Sequence, residues 1–233
     1  MRKEKLSPTL WRTCRVLMND VRLRLLWAVV TNADQLNVTS VSRLLGIPQP
    51  VASNGLRALQ ARGLIGVRRE RYSVYYNLAD DRSLPEATAL RNAFVEFFET
   101  RELENEWTEN LCVILKAFTH FNRLAMLRRL AKGEADKTAL AKASGVIVKT
   151  IEHHIHLLSR AGLVSMRANE KRLAVYSLVP QSHPIAAELL RQTLNGSLTY
   201  FNSATGSEEN LRLIHDKDGN RGFIELDTRP IPD

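Results

Sequence analysis

Apolar positions along this chain follow two rhythms, and the same succession of rhythms occurs twice, about 100 residues apart. Ala52, Leu56 and Leu59 fall at i, i+4 and i+7, as do Ile151, Ile155 and Leu158 ninety-nine residues later. That spacing puts each set on one face of a helix. Each helix is followed by Gly-Leu and then by strict alternation, Val74, Tyr76 and Leu78 in the first copy and Ala174, Tyr176 and Leu178 in the second. Alternation predicts a strand with one inward face, so both copies read helix, Gly turn, helix, Gly-Leu, strand, basic tip, strand.

The repeated segments are "SVSRLLGIPQPVASNGLRALQARGLIGVRRERYSVYYNL" (Ser40 to Leu78) and "KTALAKASGVIVKTIEHHIHLLSRAGLVSMRANEKRLAVYSL" (Lys137 to Leu178). Gly46 aligns with Gly145 and Gly63 with Gly162 at an offset of 99, and Tyr76 with Tyr176 at 100, so the second wing is one residue longer. Upstream, "RLRLL" from Arg22 aligns with "RLAML" from Arg123 at 101, which leaves two extra residues near Asp34 in the first copy. An ordered internal repeat with such small gaps defines the architecture before any local detail. The expected fold is mainly α with small β-wings: two tandem winged helix-turn-helix domains forming an intramolecular pseudo-dimer. The first domain covers 1–80, a connecting helix and linker 81–106, the second domain 107–200, and a polar tail 201–233.

Outside the repeats, Leu10, Cys14, Leu17 and Val21 share one face of an N-terminal helix, and Asp20 to Thr31 reads as the first helix of a three-helix core. Ser83 and Glu86 have capping-box spacing, with Pro85 in the first turn. Leu90, Ala93, Phe94, Phe97 and Phe98 then form a stripe, and Trp107, Leu111, Ile114, Leu115 and Phe118 another. These stripes suit a core within each lobe, packing between lobes, or both. A short helix is expected from Pro184 to about Leu194, capped by Ser182. In the polar tail, "LRLIHDKDGNRGFIEL" suits a β-hairpin. Asp216, Asp218 and Asn220 invite a calcium reading, but Gly219 comes too early for that loop, which leaves a plain turn.

Charge sharpens the reading because it is segregated. The net charge of +8 divides into +8 over residues 1–80, −4 over 81–120, +7 over 121–180 and −3 over 181–233. Both repeats are basic and both flanking segments acidic, which favours a polyanionic partner. The longest apolar run, Leu25 to Val30, is too short to span a bilayer, and arginines interrupt the region where a signal peptide would need its apolar core. Two cysteines give no disulfide framework, so a cytoplasmic setting is expected.

Opposite the apolar face, the second helix of the first copy presents Gln49, Pro50, Ser53, Asn54 and Arg57, and that of the second Lys149, Thr150, Glu152, His153 and His156. Short polar and cationic groups of this kind suit contact with base edges and phosphates. Arg68, Arg69 and Arg71 at one wing, with Arg167, Lys171 and Arg172 at the other, would reach phosphates or a minor groove. Cys14 lies on an apolar face and Cys112 on the flank of another, so both read as structural thiols, with a redox pair as the other option. A metal site at His153, His154 and His156 is disfavoured by their place at the reading position. No catalytic arrangement and no cofactor is expected.

In "DVRLRLL" (Asp20 to Leu26), "IPQPVASNGLRALQARGLI" (Ile47 to Ile65) and "TIEHHIHLLSRAGLV" (Thr150 to Val164), the chain resembles the arsenical-resistance repressor (ArsR-like) winged-helix regulators. The resemblance covers about 160 residues in two copies, and multiple-antibiotic-resistance-type regulators share much of it. It implies a sequence-specific double-stranded DNA-binding regulator, a repressor, whose two lobes replace the usual homodimer. Because Arg57 aligns with His156 and Asn54 with His153, the implied operator is asymmetric. The chain departs from relatives that bind metals through vicinal cysteines, since it has no Cys-x-Cys. A tandem winged-helix protein-interaction or chromosome-organising module is the other functional class considered.

Overall fold

The computed structural model describes residues 10–32, 36–70, 73–78, 85–99, 105–195, 198–202, 207–215 and 222–227, the last three segments through strand pairing only. It is mainly helical with two small antiparallel hairpins, consistent with two winged-helix-like units. The chain divides into two compact units, one comprising 1–116 with 181–189 and the other 117–180 with 190–233.

The first unit begins with α1 (Leu10–Leu17) and α2 (Asp20–Thr31). The single N-terminal face expected from Leu10 to Val21 is broken at Asn19, whose backbone is extended and whose side chain accepts from the Arg22 N–H at 3.0 Å. An Asn at this position satisfies an otherwise orphaned helix donor, so a new helix starts there and Val21 belongs to α2. Cys14 and Leu17 are fully buried. Next come β1 (Leu36–Asn37), α3 (Val38–Leu45) and α4 (Gln49–Gln60). Asn37 and Ser40 form a reciprocal capping box on α3, with both bonds at 2.9 Å. Gly46 closes α3 at φ 64°, a left-handed conformation that glycine adopts without a Cβ penalty. Gly55 lets α4 lie close against α2: a Cβ there would stand 2.3 Å from Leu25 Cδ1.

The wing of the first unit pairs β2 (Gly66–Glu70) with β3 (Ser73–Asn77), and β1 adds a third strand through Leu36 opposite Tyr76. Tyr76 is buried, but Val74 is 38% exposed, so the alternation faces the core only at the inner end of the wing. α5 (Pro85–Phe98) starts at the expected proline; Ser83 lies outside the described residues. Both aromatic stripes are buried, and Trp107 on α6 (Asn105–Ala117) meets Phe97 and Phe98 edge-on at 6.2 and 5.1 Å between ring centres.

The second unit repeats the plan in α7 (Phe121–Leu130), α8 (Lys137–Ser144), α9 (Val148–Arg160), β4 (Val164–Ala168) and β5 (Ala174–Leu178). Asp136 caps α8 by accepting from the Ala139 N–H at 2.7 Å, and Gly145 ends it at φ 67°. The counterpart of β1 shrinks to one bridge, Ala135 with Tyr176, whose two bonds are 3.0 and 2.8 Å long. Ser165 opposite Ser177 corresponds to Gly66 opposite Asn77, the one-residue difference that the repeat alignment requires. α10 (Pro184–Asn195) follows, then β6 (Leu198–Asn202), β7 (Ser207–His215) and β8 (Gly222–Asp227). β7 and β8 pair antiparallel, as the tail's apolar flanks suggested, and β6 joins the other edge of β7. The turn residues 216–220, including the carboxylates of the calcium reading, lie outside the described residues.

Candidate nucleic-acid interface

The second helix of each turn motif is anchored by one face and open on the other. Ala52, Leu56 and Leu59 are fully buried beneath α4, and Ile151, Ile155 and Leu158 are buried beneath α9. Gln49, Pro50, Asn54 and Arg57 are exposed on α4, whereas Ser53 is half-buried. Lys149, Thr150, Glu152, His153 and His156 are all exposed on α9.

The starts of these two helices differ from those of their neighbours. Side chains cap α2, α3, α7 and α8: Asn19, Asn37, His120 and Asp136. α4 begins at Pro48 and α9 at Ile147, both extended and neither offering a side-chain cap. The positive ends of α4 and α9 therefore carry no compensating side-chain oxygen, and the partial charge there favours an anion.

The wings present their cations unequally. Arg68 lies 3.3 Å from Glu70, with its guanidinium 5.7 Å from the centre of the Tyr75 ring; Arg69 is exposed beside it. Arg71 lies outside the described residues. In the second wing, Arg167 forms a two-pronged ion pair with Glu134, Nε to Oε1 at 2.8 Å and Nη2 to Oε2 at 2.5 Å. This pairing holds the Glu134 carboxyl below its ordinary range and raises Arg167. Glu152 is likewise held by Lys137, which lowers the carboxyl and raises the amine. Arg167 and Glu152 thus already have intramolecular partners, 33 and 15 residues away in sequence.

Lys171 and Arg172 occupy the exposed tip. Asn169 organises that tip: its N–H donates to Leu173 O at 2.9 Å, and its Oδ1 accepts from the Lys171 and Leu173 N–H groups at 3.0 and 2.9 Å. The Arg172 N–H donates to Asn169 O at 2.8 Å, which leaves Arg172 at φ 58° in the left-handed region. This is a three-residue hairpin loop whose last position ordinarily favours glycine.

Beneath α9, buried Arg123 donates from Nε to Ala117 O at 2.9 Å and from Nη2 to Thr119 Oγ1 at 2.8 Å. Its Nη1 lies 3.4 Å from His154 Nδ1, and the His120 ring stands 5.3 Å from that of His154. Burial pulls Arg123 down to about 10. Burial first, then Arg123, His120 and His153, pulls His154 down to about 4, so this half-buried ring is neutral near pH 7. His154 thus lies on the side of α9 that meets Arg123 and His120, while His153 and His156 are exposed.

Burial raises the Cys14 thiol well above its ordinary range; burial, Asp20 and Glu109 raise that of Cys112. Neither has the depressed pKa of a reactive thiolate. Among the described residues no group of three or more His, Cys, Asp or Glu is arranged to hold a metal, and no helix is long and apolar enough to cross a membrane.

The chain matches no protein-family model, no curated protein and no solved structure. The pairings of Glu134 and Lys137 with residues far along the chain have no local signal in the sequence. Ile147 and Val148 lie exposed at the start of α9, outside the polar face that spacing picks out.

Proposed function

We propose that this protein is a sequence-specific double-stranded DNA-binding transcriptional regulator, acting as a repressor and needing no catalysis. Each unit contributes one reading helix, α4 or α9, to the same duplex, so that a single chain does the work of a dimer. Successive major grooves about 34 Å apart would receive them. The observation that carries this reading is a shared pattern: in both units the second helix of the turn motif is uncapped, buried on one face and open on the other. The segregated positive charge and the basic wings support it, because phosphate contacts supply most of the affinity of such proteins.

Gln49, Asn54 and Arg57 would read base edges in one half-site, and Lys149, Thr150, His153 and His156 would act in the other. Arg68, Arg69, Lys171 and Arg172 would contact phosphates. The resemblance to arsenical-resistance-type regulators supports repression by promoter occlusion. The non-identical helices imply an asymmetric operator.

Selection of bound duplexes from a random pool tests this reading. The expected result is one enriched site with two unlike halves centred about one helical turn apart. Recovery of a pool without an enriched sequence would overturn it.

A further inference from the structure

The start of α9 carries two adjacent exposed β-branched side chains, where the start of α4 carries a single one, Val51. Ile147 is 69% exposed and Val148 50% exposed; their counterparts in the first unit, at the repeat offset of 99, are Pro48 and Gln49. Ile147 stands four residues before the buried Ile151, a spacing that would place it on the core face if it were helical. It is instead the N-cap residue, with extended backbone at φ −66° and ψ 144°, and its side chain leaves that face.

The polar groups beside this pair are largely committed. The Thr150 hydroxyl donates back to Ile147 O at 3.0 Å, so its proton is not offered outward. The Glu152 carboxylate is held by Lys137. Two adjacent exposed β-branched side chains at the open start of a helix anchored on its other face are available for contact. Lys149 follows directly, and the cations Lys171 and Arg172 stand at the wing tip of the same unit. A partner meeting both the aliphatic carbons and these cations must combine apolar points with dense negative charge. In the major groove of B-DNA, the C5-methyl of thymine is the apolar point and the phosphates supply the charge.

We infer that Ile147 and Val148 are specificity-determining residues that read thymine methyl groups in the half-site bound by the second unit. This inference rests on the DNA-binding reading above. It adds apolar readout by Ile147 and Val148 to the polar contacts that Lys149, His153 and His156 would make in that half.

The test uses the full chain and the duplex enriched from the random pool. Thymines of each half-site in turn are replaced by deoxyuridine, which deletes the methyl group and leaves every hydrogen-bonding group of the base pair. In the half-site of the second unit, affinity should fall about fourfold for each methyl contacted. The double variant Ile147→Ala/Val148→Ala should bind the thymine and deoxyuridine duplexes equally; because both positions are exposed, its circular dichroism should match that of the parent. Equal binding of both duplexes by the parent chain would overturn the inference and leave the DNA-binding reading intact. Discrimination that persists in the double variant would assign it to other residues and overturn the inference too. Failure to bind any duplex would remove the reading beneath it, and would point to a protein partner for this apolar pair.

Discussion

Replacing Arg172 by glycine should move stability and DNA affinity in opposite directions. Arg172 sits at φ 58°, fixed there by the Asn169 hydrogen bonds around it. A side chain in the left-handed region costs roughly 1–2 kcal/mol, and glycine escapes that cost. Glycine also gives the unfolded chain more freedom, which takes back about 0.4–1 kcal/mol. The net gain for Arg172→Gly is therefore about 0.5–1 kcal/mol, or about 1–4 °C in melting temperature.

If Arg172 neutralises a phosphate, its loss should lower the slope of log affinity against log salt by about 0.9. Binding would then weaken about eightfold more at 0.1 M salt than at 1 M. Arg172→Lys keeps both the charge and the strained backbone, so it should match the parent in both measurements. Thermal unfolding followed by circular dichroism, with gel shifts across a salt series, reads the two effects. A lower melting temperature for Arg172→Gly would refute the strain argument. An unchanged salt slope would refute the phosphate contact. Strain kept at an exposed tip that a glycine would relieve is the pattern expected where a side chain is retained for function.

Other perturbations follow from the same contacts. Glu134→Gln releases Arg167 from its two-pronged partner and should steepen the salt slope by about 0.9, an effect that Arg167→Ala in the same background should cancel. Arg57→Ala should cost about 1–3 kcal/mol on a duplex carrying its preferred base and little on one lacking it, as competition gel shifts would show. His154 is neutral in the folded protein down to about pH 4 but takes up a proton near pH 6.5 when unfolded. Stability should therefore be complete above pH 6.5 and fall between pH 6.5 and 4, by on the order of 1 kcal/mol after allowance for screening of the half-exposed ring. His154→Gln should show a shallower fall in melting temperature over that range. Gly46→Ala meets no atom within 4 Å, so its cost of about 1 kcal/mol should be conformational, and Gly46→Asn should recover part of it in denaturant titrations.

Local features were legible in the sequence because a few neighbouring residues decide them. Gly46 and Gly145 end their helices as the repeat implied, and the buried faces of α4 and α9 follow from spacing alone. The tail hairpin was legible for the same reason: apolar runs flank a turn-forming centre. α2 runs from Asp20 to Thr31 as the sequence implies, but Val21 belongs to it rather than to the face of Leu10, Cys14 and Leu17, because the cap at Asn19 depends on backbone conformation rather than on periodicity. β1 is only two residues long, too short to carry alternation, and exists because Tyr76 offers it an edge. The exposure of Val74 is a tertiary property that strand alternation alone does not carry. On α9, the pattern located the exposed face but not its chemistry. Arg167 and Glu152 look like free charges until the fold brings Glu134 and Lys137 beside them, and Ile147 looks like core until its backbone is seen to be extended.

The most direct measurement is the equilibrium affinity of the full chain for the enriched duplex and for a scrambled duplex of equal length and composition, across a salt series. The account expects log affinity to fall steeply and linearly with log salt on both duplexes, at about 0.9 per phosphate contact, while the enriched duplex stays preferred throughout. Equal affinity for the two duplexes, or binding that salt leaves unchanged, would contradict it.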